Sequence, residues 1–313
     1  MARYLKKYSS KILVNDLERY SEVINRCYLS NASQIDFAAL TNLYENLVLD
    51  LKNQPLSQGF LQELYAPDQD SFIRTGERVF YTSRNAQYLD TARQKIAAMP
   101  AELQHFFLGP LLSEASIHAN TAGVFKGFYK NSETGQGKFG GRKGDALSRI
   151  LGDISIPFPV FSRFECEFDV FRADANQLCR ELEEVDLAYL DPPYNQHPYG
   201  SNYFMLNLLT DYLKPGEISR VSGIPVDWNR SSYNSRSQAK DSLAELVRQI
   251  QAKFVMISFN SEGFISQTDM EALLKANGKL STLETKYNTF RGSRNLKDRG
   301  LHVREYLYLL EKF

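Results

Sequence analysis

Leu187-Ala-Tyr-Leu-Asp191-Pro192-Pro193-Tyr194 is the stretch from which fold and chemistry are both read. An apolar run ends in an acid, two prolines and an aromatic ring. The run predicts a buried strand, and ligands of open α/β sheets sit beyond the carboxyl ends of such strands. Two prolines remove two backbone donors and fix two φ angles, so the turn is rigid and its carbonyls are left to accept. A carboxylate, a carbonyl and a flat ring then share one small space. That set suits an exocyclic amine on a base. One N–H would go to Asp191 and another to the Asp191 or Pro192 carbonyl, with the Tyr194 ring stacked on the base. Taken alone, the four residues equally fit a strand that merely stops at Pro-Pro with its tyrosine packed.

Outward from this run, strand-like and helical segments alternate. Strands are predicted at Glu167–Arg172, Leu187–Leu190, Phe254–Ser258, Leu280–Lys286 and Tyr306–Leu310, with helices near 203–213, 239–252 and 267–276. This alternation predicts an α/β fold, a mostly parallel sheet with covering helices. Ser10 to Asp16 reads as a further strand, followed by a helix through Leu29. The next region is helical. Ile35 to Leu51 carries Phe37, Leu40, Leu43, Leu47 and Leu51 at helical spacing, and shorter helices are predicted at 57–65, 86–98 and 101–117. Pro100 suits the first turn of the last of these. Around 120–143, two arms flank a Gly-rich tip, a hairpin or a long loop. The expected organisation is a domain built from both ends of the chain, 1–35 and 151–313, with a mostly helical insertion at 36–150.

The chain has 313 residues, with 37 Lys or Arg against 37 Asp or Glu, so the net charge is zero. An apolar content of 43% is ample for a core and excludes wholesale disorder. No run approaches the roughly 18–20 apolar residues of a membrane span. The start, Met1 to Tyr8, lacks the apolar core of a secretory signal. Cys27, Cys166 and Cys179 fit reduced thiols, so a cytoplasmic location without membrane partners is expected. Four histidines and no C-x-x-C point to no metal site. The neutral total hides local blocks. Asn120 to Ile150 holds six basic residues against two acidic ones, and Lys286 to Arg304 holds six against one. Between them, Leu151 to Asp191 holds ten acids against three arginines. Two basic blocks split by an acidic one predict a polyanion-binding face, although uneven surface charge without a partner produces the same count.

Asp191-Pro192-Pro193-Tyr194, its continuation Asn195 to Tyr203, and the runs Lys253 to Phe264 and Lys286 to Arg294 together resemble the DNA adenine-N6 methyltransferases. The likeness is to the Dam-like arrangement, especially the methylases of type II restriction–modification systems, and covers nearly the whole chain. It implies a Rossmann-like class I methyltransferase sheet with a target-recognition insertion at 36–150. It also implies S-adenosylmethionine as methyl donor and the N6 of a flipped adenine in double-stranded DNA as acceptor. Asp191, Pro192, Pro193 and Tyr194 take the catalytic positions. Asp16 matches the acid that binds the donor's ribose hydroxyls, although by itself it also fits a helix N-cap. Asp174, with Ala175, matches the acid that meets the donor's adenine amine, and by itself fits a turn. Tyr287 or Phe290 would be the second ring around the flipped base, and the sequence does not separate them. In the insertion, Lys126, Lys130, Lys138, Arg142 and Lys143 suit phosphates, while Asn120, Asn131 and Gln136 suit base edges. Arg291 and Arg294, with Lys297, would hold backbone near the active site. A cognate restriction endonuclease is a further expected partner.

One departure stands out. The family carries a Phe-x-Gly-x-Gly turn ahead of the segment matching residues 1–16, and no such turn precedes Asp16. The Gly-rich run 135–141 follows no parallel strand. By this resemblance the chain starts after the family's first strand. The expectation is then an unpaired strand edge, an uncovered core face, marginal stability and weak donor binding. Two rivals follow: methylation of cytosine N4 or an amide nitrogen, and a DNA-binding remnant or subunit without catalysis.

Overall fold

A short helix α1 (Ala2–Leu5) leads into β1 (Lys11–Asp16) and α2 (Arg19–Leu29). The helices α3 (Phe37–Asn53), α4 (Phe60–Tyr65), α5 (Ser83–Ala97), α6 (Gln104–Ile117) and α7 (Leu147–Leu151) follow. Then come β2 (Glu167–Arg172), α8 (Ala175–Leu178), β3 (Val185–Leu190), α9 (Tyr199–Asn202) and α10 (Phe204–Asp211). The chain ends with α11 (Ala239–Gln249), β4 (Ala252–Asn260), α12 (Gln267–Lys275), β5 (Gly278–Asn288) and β6 (His302–Lys312). This computed structural model describes residues 1–141, 144–288 and 302–313. Every predicted strand and helix forms, with β3, β4, β5 and β6 longer than expected, but the four-stranded sheet is mixed and not mostly parallel, because β6 runs antiparallel to both of its neighbours. No helix among the described residues is long and apolar enough to cross a membrane.

By compactness the chain divides into a larger unit, Met1–Arg172 with Gly200–Trp228, and a smaller one, Ala173–Tyr199 with Asn229–Phe313. In the larger unit β1 and β2 pair in parallel, Lys11 opposite Glu167 through Asp16 opposite Arg172. Its helices bury Leu40, Leu47 and Leu51 of α3, Leu89 and Ile96 of α5, and Phe107 and Leu111 of α6. Caps start these helices where sequence places acceptors. Asp36 accepts from the Ala39 N–H at 3.0 Å, and Thr82 from the Asn85 N–H at 3.1 Å. α6 begins at Gln104, after a turn, so Pro100 lies ahead of the helix instead of in its first turn. Gly109 lets α6 approach α2 closely: a Cβ there would sit 2.9 Å from the Cys27 sulfur.

The smaller unit holds a sheet in the order β3-β4-β6-β5. β3 and β4 are parallel, and β6 runs antiparallel to both β4 and β5. One face buries Ala188, Val255, Ile257, Phe259, Tyr306, Tyr308 and Leu310 with Leu243, Val247, Met270 and Leu274 of α11 and α12. The other face is open, with Leu187 41% and Phe254 38% exposed. Parallel strands are ordinarily covered on both faces. The strand carrying Asp191 is therefore at an edge of its sheet and beside an open face. The Asp191-Pro192-Pro193-Tyr194 turn follows β3 at the carboxyl end of the parallel pair β3–β4.

Candidate active site

β3 stops at Leu190, and Asp191 is the next residue. The two prolines then carry the chain off the sheet without donors to offer. Asp191 is exposed, and Tyr194 donates its hydroxyl to Asp191 Oδ1 at 3.2 Å. The surrounding sheet still removes enough water to push the Asp191 carboxyl above its ordinary range, chiefly by burial. Burial also pushes the Tyr194 phenol up, so it remains a hydrogen-bond donor at neutral pH.

The Tyr194 ring is held by residues at the end of the next strand. Phe259 meets it edge-on, with centroids 5.3 Å apart and planes at 71°. The Phe264 N–H donates to the Tyr194 carbonyl at 2.8 Å. Gly263 makes this packing possible, since a Cβ there would lie 2.2 Å from the Phe259 ring. Arg236 stacks its guanidinium 5.0 Å from the Phe264 ring centre, and Asn234 donates to the Asn195 carbonyl at 2.8 Å. Sequence reasoning noted the run Ser258 to Phe264 and gave its residues no role. The signal that was available is positional: an aromatic-Asn-x-x-Gly-aromatic run ends the strand beside the Asp-Pro-Pro-Tyr turn.

The two acids expected at the donor are both anchored on one oxygen. Asp16 Oδ1 accepts from the Glu18 N–H at 2.9 Å, shaping the turn between β1 and α2. Asp174 Oδ1 accepts from the Asn176 and Gln177 N–H groups at 2.9 and 3.1 Å, capping α8, whose first residue is Ala175. So Asp174 does serve a turn, and one anchored oxygen leaves the other aimed in a fixed direction.

The segment 120–141 is a long loop pinched by a single antiparallel bridge between Lys130 and Gly137. Its amides serve the fold. Asn120 is fully buried, donates to the Val79 and Lys138 carbonyls at 2.7 and 2.8 Å, and accepts from the Gly140 N–H at 3.0 Å. The base-edge reading of Asn120 is corrected accordingly. Asn131 caps the tip by accepting from the Glu133 N–H at 2.8 Å, and Gln136 donates to the Ile73 carbonyl. Among the lysines, Lys126 is exposed, Lys130 lies 4.8 Å over the Phe128 ring, and Lys138 donates to the Gly141 carbonyl at 3.3 Å. Arg142, Lys143, Phe290, Arg291, Arg294 and Lys297 lie outside the described residues. Tyr287 falls within β5, opposite Val303 of β6.

A strand-end carboxylate thus stands beside a Pro-Pro turn and a buttressed ring. The family model of the D12 class N6 adenine-specific DNA methyltransferases matches residues 1–273, and the chain belongs to that family. It is similar to the type II methyltransferase M.NlaIII of Neisseria lactamica, 28% identical over 100% of this chain and 87% of that one. It is likewise similar to the type II methyltransferase M.CviAII of Paramecium bursaria Chlorella virus 1, 31% identical over 97% of this chain and 84% of that one. The modification methylase StsI of Streptococcus sanguinis is 24% identical, with 46% of its length covered.

Proposed function

We propose that this adenine-specific DNA methyltransferase acts on one recognition sequence, as a type II modification enzyme of the cytoplasm, and that Asp191, Pro192, Pro193 and Tyr194 perform the transfer. S-adenosylmethionine, the donor that the family implies, supplies an electrophilic methyl group on a sulfonium. Adenine N6 is a poor nucleophile because its lone pair is conjugated into the ring. Asp191 and a carbonyl of the Pro-Pro turn accept its two N–H bonds, which localises the lone pair and aims it. Tyr194 stacks on the flipped base. This is positioning and electrostatics, without a covalent enzyme intermediate.

The acids fit the donor. The outer oxygen of Asp16 is suited to ribose hydroxyls, and that of Asp174, beside Ala175, to an adenine amine. Catalytic roles fall to 1–35 and 151–313 in a Rossmann-like arrangement, and target recognition to 36–150. Lys126, Lys130, Lys138, Arg142, Lys143, Arg291 and Arg294 bind phosphates, and Tyr287 or Phe290 supplies the second ring. A cognate endonuclease of the same restriction–modification system is the natural partner of such a methylase.

The observation that carries this reading is Asp191 held open at the end of β3 with Tyr194 fixed beside it by Phe259 and Phe264. Asp191→Ala tests it. Methyl incorporation into DNA should fall at least about 100-fold, with DNA affinity nearly unchanged, because the missing carboxylate acts on the amine alone. Turnover above about a tenth of wild type removes Asp191 from this role.

A further inference from the structure

Asn207 reaches the turn that follows Asp16, and none of the roles assigned so far accounts for it. Helix α2 starts without a cap of its own. Glu18 stands at the N-cap position, yet its side chain makes no capping hydrogen bond. The Tyr20 N–H, in the first turn, goes instead to Asn207 Oδ1 of α10 at 3.1 Å, a partner 187 positions away. The first N–H groups of a helix have no acceptor within it, so this distant amide supplies one. The same amide donates its NH2 to Glu18 Oε2 at 2.5 Å. Glu18 is 3% exposed, and a carboxylate so buried needs donors of this kind.

Helical spacing sets the contact. Tyr203, just ahead of α10, Asn207 and Asp211 recur every fourth residue and so share one face. Each meets the start of α2. The Tyr203 ring lies 5.8 Å from that of Tyr20, and Asp211 pairs with Arg19 at 3.4 Å. That ion pair is half-exposed and contributes little. Asn207, between the two, bonds both the Glu18 side chain and the Tyr20 backbone. Glu18 joins this latch to Asp16. Its side chain is held by Asn207, and its own N–H anchors Asp16 Oδ1 at 2.9 Å. A shift of Glu18 therefore re-aims the outer oxygen of Asp16.

We propose that Asn207 is a positioning residue for the methyl donor, acting through Glu18 on Asp16, and that its latch aims the outer Asp16 oxygen at the donor's ribose hydroxyls. The proposal rests on the reading of Asp16 as the acid for those hydroxyls. The amide matters because one of its partners donates and the other accepts. A carboxylate at this position only accepts, and an apolar side chain does neither.

Calorimetric titration with S-adenosylhomocysteine, and with its analogue whose ribose lacks both hydroxyls, reads the contact directly. The wild-type chain should prefer the parent compound. Asn207→Asp keeps the acceptor for Tyr20 and sets a second carboxylate against Glu18. It should weaken binding of the parent compound roughly tenfold and barely change binding of the analogue, so that the preference for ribose collapses. KM for S-adenosylmethionine should rise in step, with kcat at saturating donor and the affinity for DNA unchanged. Adding Glu18→Gln to Asn207→Asp reverses the direction of the hydrogen bond, because the introduced amide donates to the introduced carboxylate, and should restore the preference. Should Asn207→Asp not fold, Asn207→Ala, which removes both bonds without adding charge, is read in the same way. An unchanged preference for ribose overturns the proposal. So does an equal loss of affinity for both ligands, or a double variant that recovers nothing, since either marks a merely structural role. Asp16→Ala runs alongside. If it loses the preference while Asn207→Asp keeps it, only the Asn207 proposal falls. If it keeps the preference, or the wild type shows none, the reading of Asp16 falls first and this proposal with it.

Discussion

The loop 120–141 and the platform around Tyr194 are both rich in polar and aromatic residues, and the structure uses them in opposite ways. In the loop, the side chains of Asn120, Asn131 and Gln136 bond backbone groups, some of them distant in sequence. In the platform, the packing of Phe259 and Phe264 holds Tyr194 and leaves the Asp191 carboxylate exposed. Residue type therefore announces chemistry in one region and conceals architecture in the other. An amide that suits a base edge also suits an orphaned carbonyl, and only burial separates the two uses.

Glycines give the sharpest contrast. Gly263→Ala forces a methyl into the Phe259 ring and so displaces the support of Tyr194, whereas at Gly127 a Cβ would have nothing within 4 Å. Gly263→Ala should lower kcat by about tenfold or more, since small displacements at a reacting centre are costly. Gly127→Ala should leave kcat at the wild-type value. Equal rates in the two variants would break the claim that Phe259 positions Tyr194.

Asparagines sharpen it next. Asn120→Ala strands two carbonyls and one N–H in the interior and should cost about 3 kcal/mol of unfolding free energy by denaturant titration. Asn131→Ala, at an exposed tip, should cost no more than about 1 kcal/mol. Weakened DNA binding in folded Asn120→Ala, at unchanged stability, would return that amide to the bases.

The smallest effect concerns charge. Replacing Lys126, Lys130, Arg142 and Lys143 together by Ala should flatten log affinity against log salt by a little under one unit for each phosphate that is no longer neutralised. At saturating DNA the methylation rate should stay near wild type. An unchanged slope would move phosphate binding elsewhere, with Arg291 to Arg304 the next segment to test.

Much of the fold was legible because its periodicities are strong. The apolar runs at Ile12 and Val255 and the helical spacing through Leu40, Leu47 and Leu51 leave few alternatives. The turn Asp191 to Tyr194 was legible because an apolar strand pattern runs directly into two prolines, which must end it. Phe259, Gly263 and Phe264 were not, because they meet Tyr194 only through packing between chain segments distant in sequence. Asn120 was misread for the complementary reason: its partners Val79 and Lys138 are assembled only by folding.

The most direct test of the central claim is the identity of the product. DNA incubated with the purified protein and labelled S-adenosylmethionine, digested to nucleosides and separated, should carry the label in N6-methyladenine within one recurring sequence context, and Asp191→Ala should leave that peak at background. Label in N4-methylcytosine, or no label from protein that still binds DNA and S-adenosylmethionine, would contradict the account.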